Sequence, residues 1–214
     1  MRSNRSIPAL LVTVGLAAVL LGGCQTGQRP ALGTAPTQVA DPAIMAVLGK
    51  LETRSPDPIT ATYSLLTKFG NTTTPASVAI STPTKRSVTI GDVRFIQKSS
   101  GAQTCQLSSG NCTNTIDDAQ VSDKSLTHDF YQISPAARLR QDAAAMAGTG
   151  LASTREIAGQ IATCVEVPFT GGNSKIYCAL DNGLLAFQDT PDLAITLLTI
   201  ANAPDETYFA VTAP

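Results

Sequence analysis

Five cysteines are the residues of this chain best placed to do chemistry. Cys24 stands by itself behind Leu21, Gly22 and Gly23. A branched residue, two small residues and a cysteine form a lipobox-like sequence, in which the thiol would take a diacylglycerol thioether. Cys105, Cys112, Cys164 and Cys178 remain. An even set in an exported chain predicts two disulfides. A metal site is the rival use, but the spacings are wide, no Cys-x-x-Cys occurs, and His128 is the one histidine. No metal is expected.

Other catalytic groupings are missing. There is no Gly-x-Ser-x-Gly elbow, no Ser-x-x-Lys and no phosphate-binding glycine loop. A Ser-His-Asp triad would have to use His128, which sits in polar Thr127-His128-Asp129 and reads as a surface histidine. Glu52, Glu156, Glu166 and Glu206 are scattered, so no carboxylate pair is set up for glycoside hydrolysis. Asp117, Asp118, Asp123 and Asp129 lack the Asp-x-Asp-x-Asp-Gly order of a calcium loop and read as solvated. The expectation is a protein that is not an enzyme and needs no cofactor.

The elements that position these residues begin with a leader over residues 1–23. Arg2 and Arg5 open it, and an apolar run over 7–21 follows. That run is short of the roughly 20 residues a spanning helix needs. Its layout is that of a secretory signal peptide. By resemblance to bacterial lipoproteins, cleavage falls before Cys24 and leaves it as an acylated first residue. Two acyl chains anchor stably, at about 0.8 kcal/mol per buried methylene. The cysteine therefore predicts attachment to the extracytoplasmic face of a bacterial envelope membrane. Residues 25–40 are rich in Gly, Pro, Thr, Gln and Ala and read as a tether.

Charge narrows the partners. The leader holds two of the 15 basic residues and none of the 16 acidic ones, so the chain beyond it is mildly acidic. That argues against nucleic acid, which needs a dense Lys/Arg footprint. Charged residues are 14% of the chain and Trp is absent, which suits an extracytoplasmic β-rich domain with an uncharged polar surface. One domain over 42–214 is expected.

Asp41-Pro42 opens that domain as N-cap and first helical residue. Ile44, Val47, Leu48 and Leu51 recur at helical spacing, predicting a helix over 42–53 that covers the core or gates a cavity. Residues 59–69 alternate, with Ile59, Ala61, Tyr63, Leu65 and Phe69 on one face of a long strand. Strands around Val78 and Ile80, around Val88 and Ile90, and over 93–97 follow as an antiparallel meander joined by tight turns. The 105–112 segment reads as a disulfide-closed loop at an edge, and 113–129 as a polar loop. Ser134-Pro135 starts a second helix ended by Gly148, with Ala136, Leu139, Ala143 and Met146 inward and Arg138, Arg140 and Asp142 outward. Strands over 160–169, 175–180, 184–188, 193–200 and 208–211 complete the chain.

The cysteines and one hairpin register agree. If Thr170-Gly171-Gly172 is a three-residue loop, Phe169 faces Asn173 and Cys164 falls opposite Cys178. Opposed Cβ atoms lie about 4.5–5.5 Å apart, the closer pairs near disulfide reach. This favours the local pairings, Cys105 with Cys112 and Cys164 with Cys178. Ile161, Val165, Val167, Tyr177 and Ala179 then share one face, and Ala162, Cys164, Ile176, Cys178 and Leu180 the other. Both faces are apolar enough to need cover.

The order of elements resembles the lipoprotein-carrier superfamily: LolA-like proteins, LprG/LppX-like lipoproteins and the RseB sensor domain. Val78-Ala79-Ile80-Ser81-Thr82-Pro83, Lys85-Arg86 and Val88-Thr89-Ile90-Gly91-Asp92-Val93-Arg94-Phe95 carry the resemblance. Leu193-Ala194-Ile195-Thr196-Leu197, Asn202 and residues 209–214 are similar to the family's C-terminal strands. The two disulfides depart from simple LolA proteins. The resemblance implies an α+β fold: a curved antiparallel half-barrel covered by a few helices. It also implies an acyl-chain cavity, with Tyr63, Leu65, Phe69, Val78, Ile80, Val88 and Ile90 as liners and Ile44, Val47 and Leu48 as lid. Two functions follow as expectations: a lipid-binding or lipid-transferring lipoprotein, or a sensing module that binds an envelope protein with its core packed shut.

Overall fold

The computed structural model describes residues 41–53 and 58–210. The leader, Cys24, the tether and residues 211–214 lie outside them. The first helix, α1 (Pro42–Leu51), starts where Asp41 accepts N–H bonds from Ala43 (2.9 Å) and Ile44 (3.1 Å). It buries Ile44, Val47, Leu48 and Leu51, the set its spacing predicts. The second helix, α2 (Ile133–Ala145), buries Pro135, Ala136, Leu139 and Asp142.

Eleven strands form one open antiparallel sheet. β1 (Ile59–Thr67), β2 (Thr72–Thr82), β3 (Lys85–Ile90), β4 (Val93–Lys98), β5 (Gly101–Gln106) and β6 (Cys112–Thr113) make the first meander. β7 (Leu151–Ile157), β8 (Gln160–Pro168), β9 (Ser174–Ala179), β10 (Leu185–Asp189) and β11 (Leu193–Ala201) make the second. Pairing of β1 with β11 joins the two, so the order runs β6-β5-β4-β3-β2-β1-β11-β10-β9-β8-β7. Register shifts at Thr62/Tyr63, Ile80/Thr82 and Leu185/Phe187 add local twist, as bulges do. The inner face carries Tyr63, Leu65, Val78, Val88, Phe95, Val165, Val167, Tyr177 and Ile195 into one core with both helices. This is the curved-sheet-plus-helices architecture expected from the sequence.

The hairpin register holds: Cys164 pairs with Cys178, and the Phe169 N–H donates to the Asn173 carbonyl at 2.8 Å. Both disulfides, Cys105–Cys112 and Cys164–Cys178, are closed. On the outer face Phe187 stands opposite Cys178, and the Arg155 guanidinium lies 5.4 Å above the Phe187 ring. These side chains, rather than a second layer, cover the second apolar face, and both cysteines are fully buried.

Several expectations need correction. β1 stops at Thr67, because Lys68 N–H turns to the Asp192 carbonyl and Gly70 and Asn71 take positive φ. Phe69 is therefore 94% exposed and points to solvent, not into a cavity. The disulfide-closed 105–112 loop does lie at the sheet edge as expected, and its cysteines also pair as the β5–β6 hairpin. The 113–129 loop is only partly solvated: a 3-10 helix spans Asp118–Lys124, and Val121 and Leu126 enter the core. β7 has no counterpart in the sequence reading, since its residues are exposed and show no apolar alternation. Asp142 points inward, where Lys175 Nζ and Tyr177 Oη each donate to it at 2.5 Å. The final strand over 208–211 is replaced, within the described residues, by a 3-10 helix at Glu206–Phe209 capped by Asp205. It lies on the outer face, where Ser87 Oγ donates to the Tyr208 carbonyl at 2.6 Å and Lys85 Nζ sits 4.5 Å from the Phe209 ring centre.

Candidate functional site

Between the C-terminal end of α1, the N-terminal half of α2 and the β2–β3 and β4–β5 turns lies a groove of about 710 Å³. That is within the range of small-molecule sites, roughly 300–1,000 Å³. Its floor is Leu51, Ile80, Tyr131 and Ala136, all buried. Its rim is Glu52, Pro83, Thr84, Lys98, Ser99, Ala137 and Arg140, with Ile133 half-exposed beside them. Arg86 and Gln97 cross one wall, where Arg86 Nε donates to Gln97 Oε1 at 2.5 Å.

Local sequence explains each wall. Thr82 and Lys85 pair across a two-residue turn, which brings Arg86 to the end of the sheet opposite Gln97. Pro135 admits only the first turn of a helix, so α2 begins at Ile133 and lays Ala136 and Ala137 along the groove. Small side chains there leave the space that larger ones would fill.

The sequence-derived cavity residues fall in three places. Ile44, Val47, Leu48, Tyr63, Leu65, Val78, Val88 and Ile90 are all at most 2% exposed and pack together in the core. Ile80 lines the groove. Phe69 lies outside both. Tyr63 is distinctive within the core: its ring meets Phe130 edge-on at 5.2 Å, and its hydroxyl has no hydrogen-bond partner. Burial, and then the neighbouring Tyr131 hydroxyl, push its pKa far up. Burial also raises Tyr131, while the adjacent Arg86 guanidinium pulls it back. The sequence reading missed Tyr131, Gln97, Lys98 and Arg140 as groove residues. Tyr131, just before the Ser134-Pro135 helix start, was the available signal.

The helix assigned as lid is clamped at both ends. Asp41 Oδ2 accepts from the Gly150 N–H at 2.7 Å. Gln132 Nε2 donates to the Thr53 carbonyl at 2.6 Å, Arg140 pairs with Glu52, and Lys50 pairs with Asp181. Gly183 (φ 85°) comes so close to the Thr53 carbonyl that a Cβ would lie 2.3 Å from that oxygen. Access to the groove is thus past Thr84, Lys98 and Ile133, with α1 in place.

The histidine weighed for a triad packs against the β4 side of the core and an acidic neighbour. His128 is half-buried rather than on the surface, its Nδ1 3.0 Å from both Asp118 carboxylate oxygens and its ring beside Phe95. Among the described residues no three His, Cys, Asp or Glu side chains converge as a metal site. No helix among them is long and apolar enough to cross a membrane.

No family model matches the chain, and no curated protein matches it in sequence. Solved structures do. MucB superposes with a TM-score of 0.50 at 13% identity, over 79% of this chain and 63% of MucB. MucB in complex with MucA(peri) gives 0.44 at 9% identity, over 80% of this chain and 58% of that one. LprF from Mycobacterium bovis gives 0.42 at 10% identity, over 81% and 96%. The chain thus spans less than two thirds of MucB. At this identity the MucB likeness establishes the fold, and the fold is the one the sequence resemblance implied.

Proposed function

We propose that this chain is a lipoprotein of the bacterial cell envelope, anchored through Cys24, that binds a lipid or other apolar ligand in the groove between sheet and helices. The observation that carries this reading is the groove itself: about 710 Å³ with an apolar floor, beside the packed core. The activity in this reading is binding or transfer, with no chemical step. The test is displacement of a fluorescent fatty acid from the full chain carrying Cys24→Ser. Ala137→Trp puts a bulky ring into the groove from an exposed helix position, and the chain has no other Trp. It should abolish binding without lowering the melting temperature; equal binding by this variant would place the ligand elsewhere or remove it.

A second reading, recognition of an envelope protein, is favoured by β7. It is the sheet's edge strand, and Leu151 to Glu156 are all exposed along it. Such an edge can accept an added strand. Photo-crosslinking in cells from position 154 should then give one discrete adduct, whereas a smear or no adduct would leave only the groove.

A further inference from the structure

We infer that the groove selects an anionic amphiphile, its phosphate or carboxylate held by Arg86 and Lys98 above the apolar floor; this rests on the ligand-binding reading just given. The charges at the groove are unequal. Arg140 is committed to Glu52, with Nη2 and Nε at 2.5 and 2.8 Å from Oε1. Arg86 and Lys98 have no carboxylate partner among the described residues. Arg86 is half-buried, with Gln97, a neutral group, as its acceptor and the Tyr131 hydroxyl beside it. The carboxylate that also acts on Tyr131 is Asp129, which already accepts from Thr127 Oγ1 at 2.5 Å.

A guanidinium is a planar fork with five N–H donors. Gln97 takes the Nε donor and the Tyr131 hydroxyl a second, which leaves the remaining Nη donors of the fork to take oxygens of a phosphate or carboxylate. Partial burial strips water from the cation, and an arriving anion restores the lost interaction. Directly beneath, Leu51, Ile80 and Ala136 are apolar. Charge at the mouth and hydrocarbon below is the polarity of an anionic amphiphile; a soluble anion would have no use for the floor, and a neutral lipid none for the cations.

The experiment compares three competitors against the same fluorescent fatty-acid probe: dioleoyl phosphatidylglycerol, dioleoylglycerol, which has the same chains and no phosphate, and glycerol 3-phosphate. The full chain carrying Cys24→Ser should prefer the anionic lipid by about tenfold, the worth of one charge-assisted bidentate contact. Arg86→Gln should cut the preference to about twofold while dioleoylglycerol binds as before; Arg86→Lys should keep part of it. Lys98→Gln, at an exposed rim position that folding does not depend on, should cause a smaller loss in the same direction. Glycerol 3-phosphate alone should not displace the probe. Equal affinity for the two lipids in the parent, a preference that survives Arg86→Gln with Lys98→Gln, or displacement by glycerol 3-phosphate as effective as by lipid would each overturn the inference while the groove still binds. Failure of the probe and both lipids to bind would instead overturn the ligand-binding reading, and this inference with it.

Discussion

At the scale of single residues the structure separates side chains that hold the fold from side chains left over for a ligand. Asp142 is of the first kind. Its two oxygens are filled by Lys175 and Tyr177, which tie α2 to β9. Replacing it with Ala strands a partly exposed ammonium and a buried hydroxyl, so Asp142→Ala should cost about 2 kcal/mol in chemical denaturation. The second kind lines the groove, and Tyr63 belongs to neither, being packed in the core away from the groove lining. Its hydroxyl is desolvated without a bond, and removing such a group relieves a penalty of about 1–3 kcal/mol. Tyr63→Phe should therefore leave the ligand-free protein as stable as the parent or more so; a loss of more than about 1 kcal/mol would mean the hydroxyl is already satisfied. The disulfides differ too. Cys164–Cys178 is fully buried and closes the longer loop, so its double Ala variant should lose about 3 kcal/mol, more than that of half-exposed Cys105–Cys112.

At the scale of elements, α1 is a fixed wall. The Asp41 carboxylate ties its N-terminus to Gly150. Burial on its own would raise that carboxyl's pKa, but the N–H donors of Gly150, Ile44 and Ala43 outweigh it and hold the pKa below the ordinary value. A lowered folded pKa means the unfolded chain takes up the proton first. The stabilisation is therefore complete above the unfolded pKa and is lost as pH falls through the carboxylate range, below about 4. Melting temperature measured between pH 6 and pH 3 should fall less steeply for Asp41→Asn than for the parent; parallel curves would show that Asp41 does not clamp α1.

Element scale is also where the sequence was most and least informative. The α1 face, the β1–β4 meander and the Cys164–Cys178 register were legible, because each rests on local periodicity or on one turn. β7 was not, since an edge strand with no buried face has no apolar alternation to read. Val121, Leu126, Phe130 and Tyr131 were hidden for the opposite reason: they are single apolar residues in a polar segment, and only the crossover from β6 to α2 brings them over the sheet. The groove depends on that crossover. Ile80 could be found from strand alternation, but Arg86, Lys98 and Tyr131 meet only through tertiary contact.

At the scale of the whole molecule, two meanders joined through β1 and β11 give one large open sheet that two helices and the crossover nearly fill. One space left open is the groove at one end, and the proposed function requires that lipid occupy it. The measurement that asks this most directly is native mass spectrometry of the chain carrying Cys24→Ser, purified from a bacterial periplasm without detergent. A reproducible adduct of lipid mass is expected, enriched in anionic species, removed by organic extraction and absent from Ala137→Trp. A clean protein mass, with no adduct after incubation with phosphatidylglycerol, would contradict the proposed function.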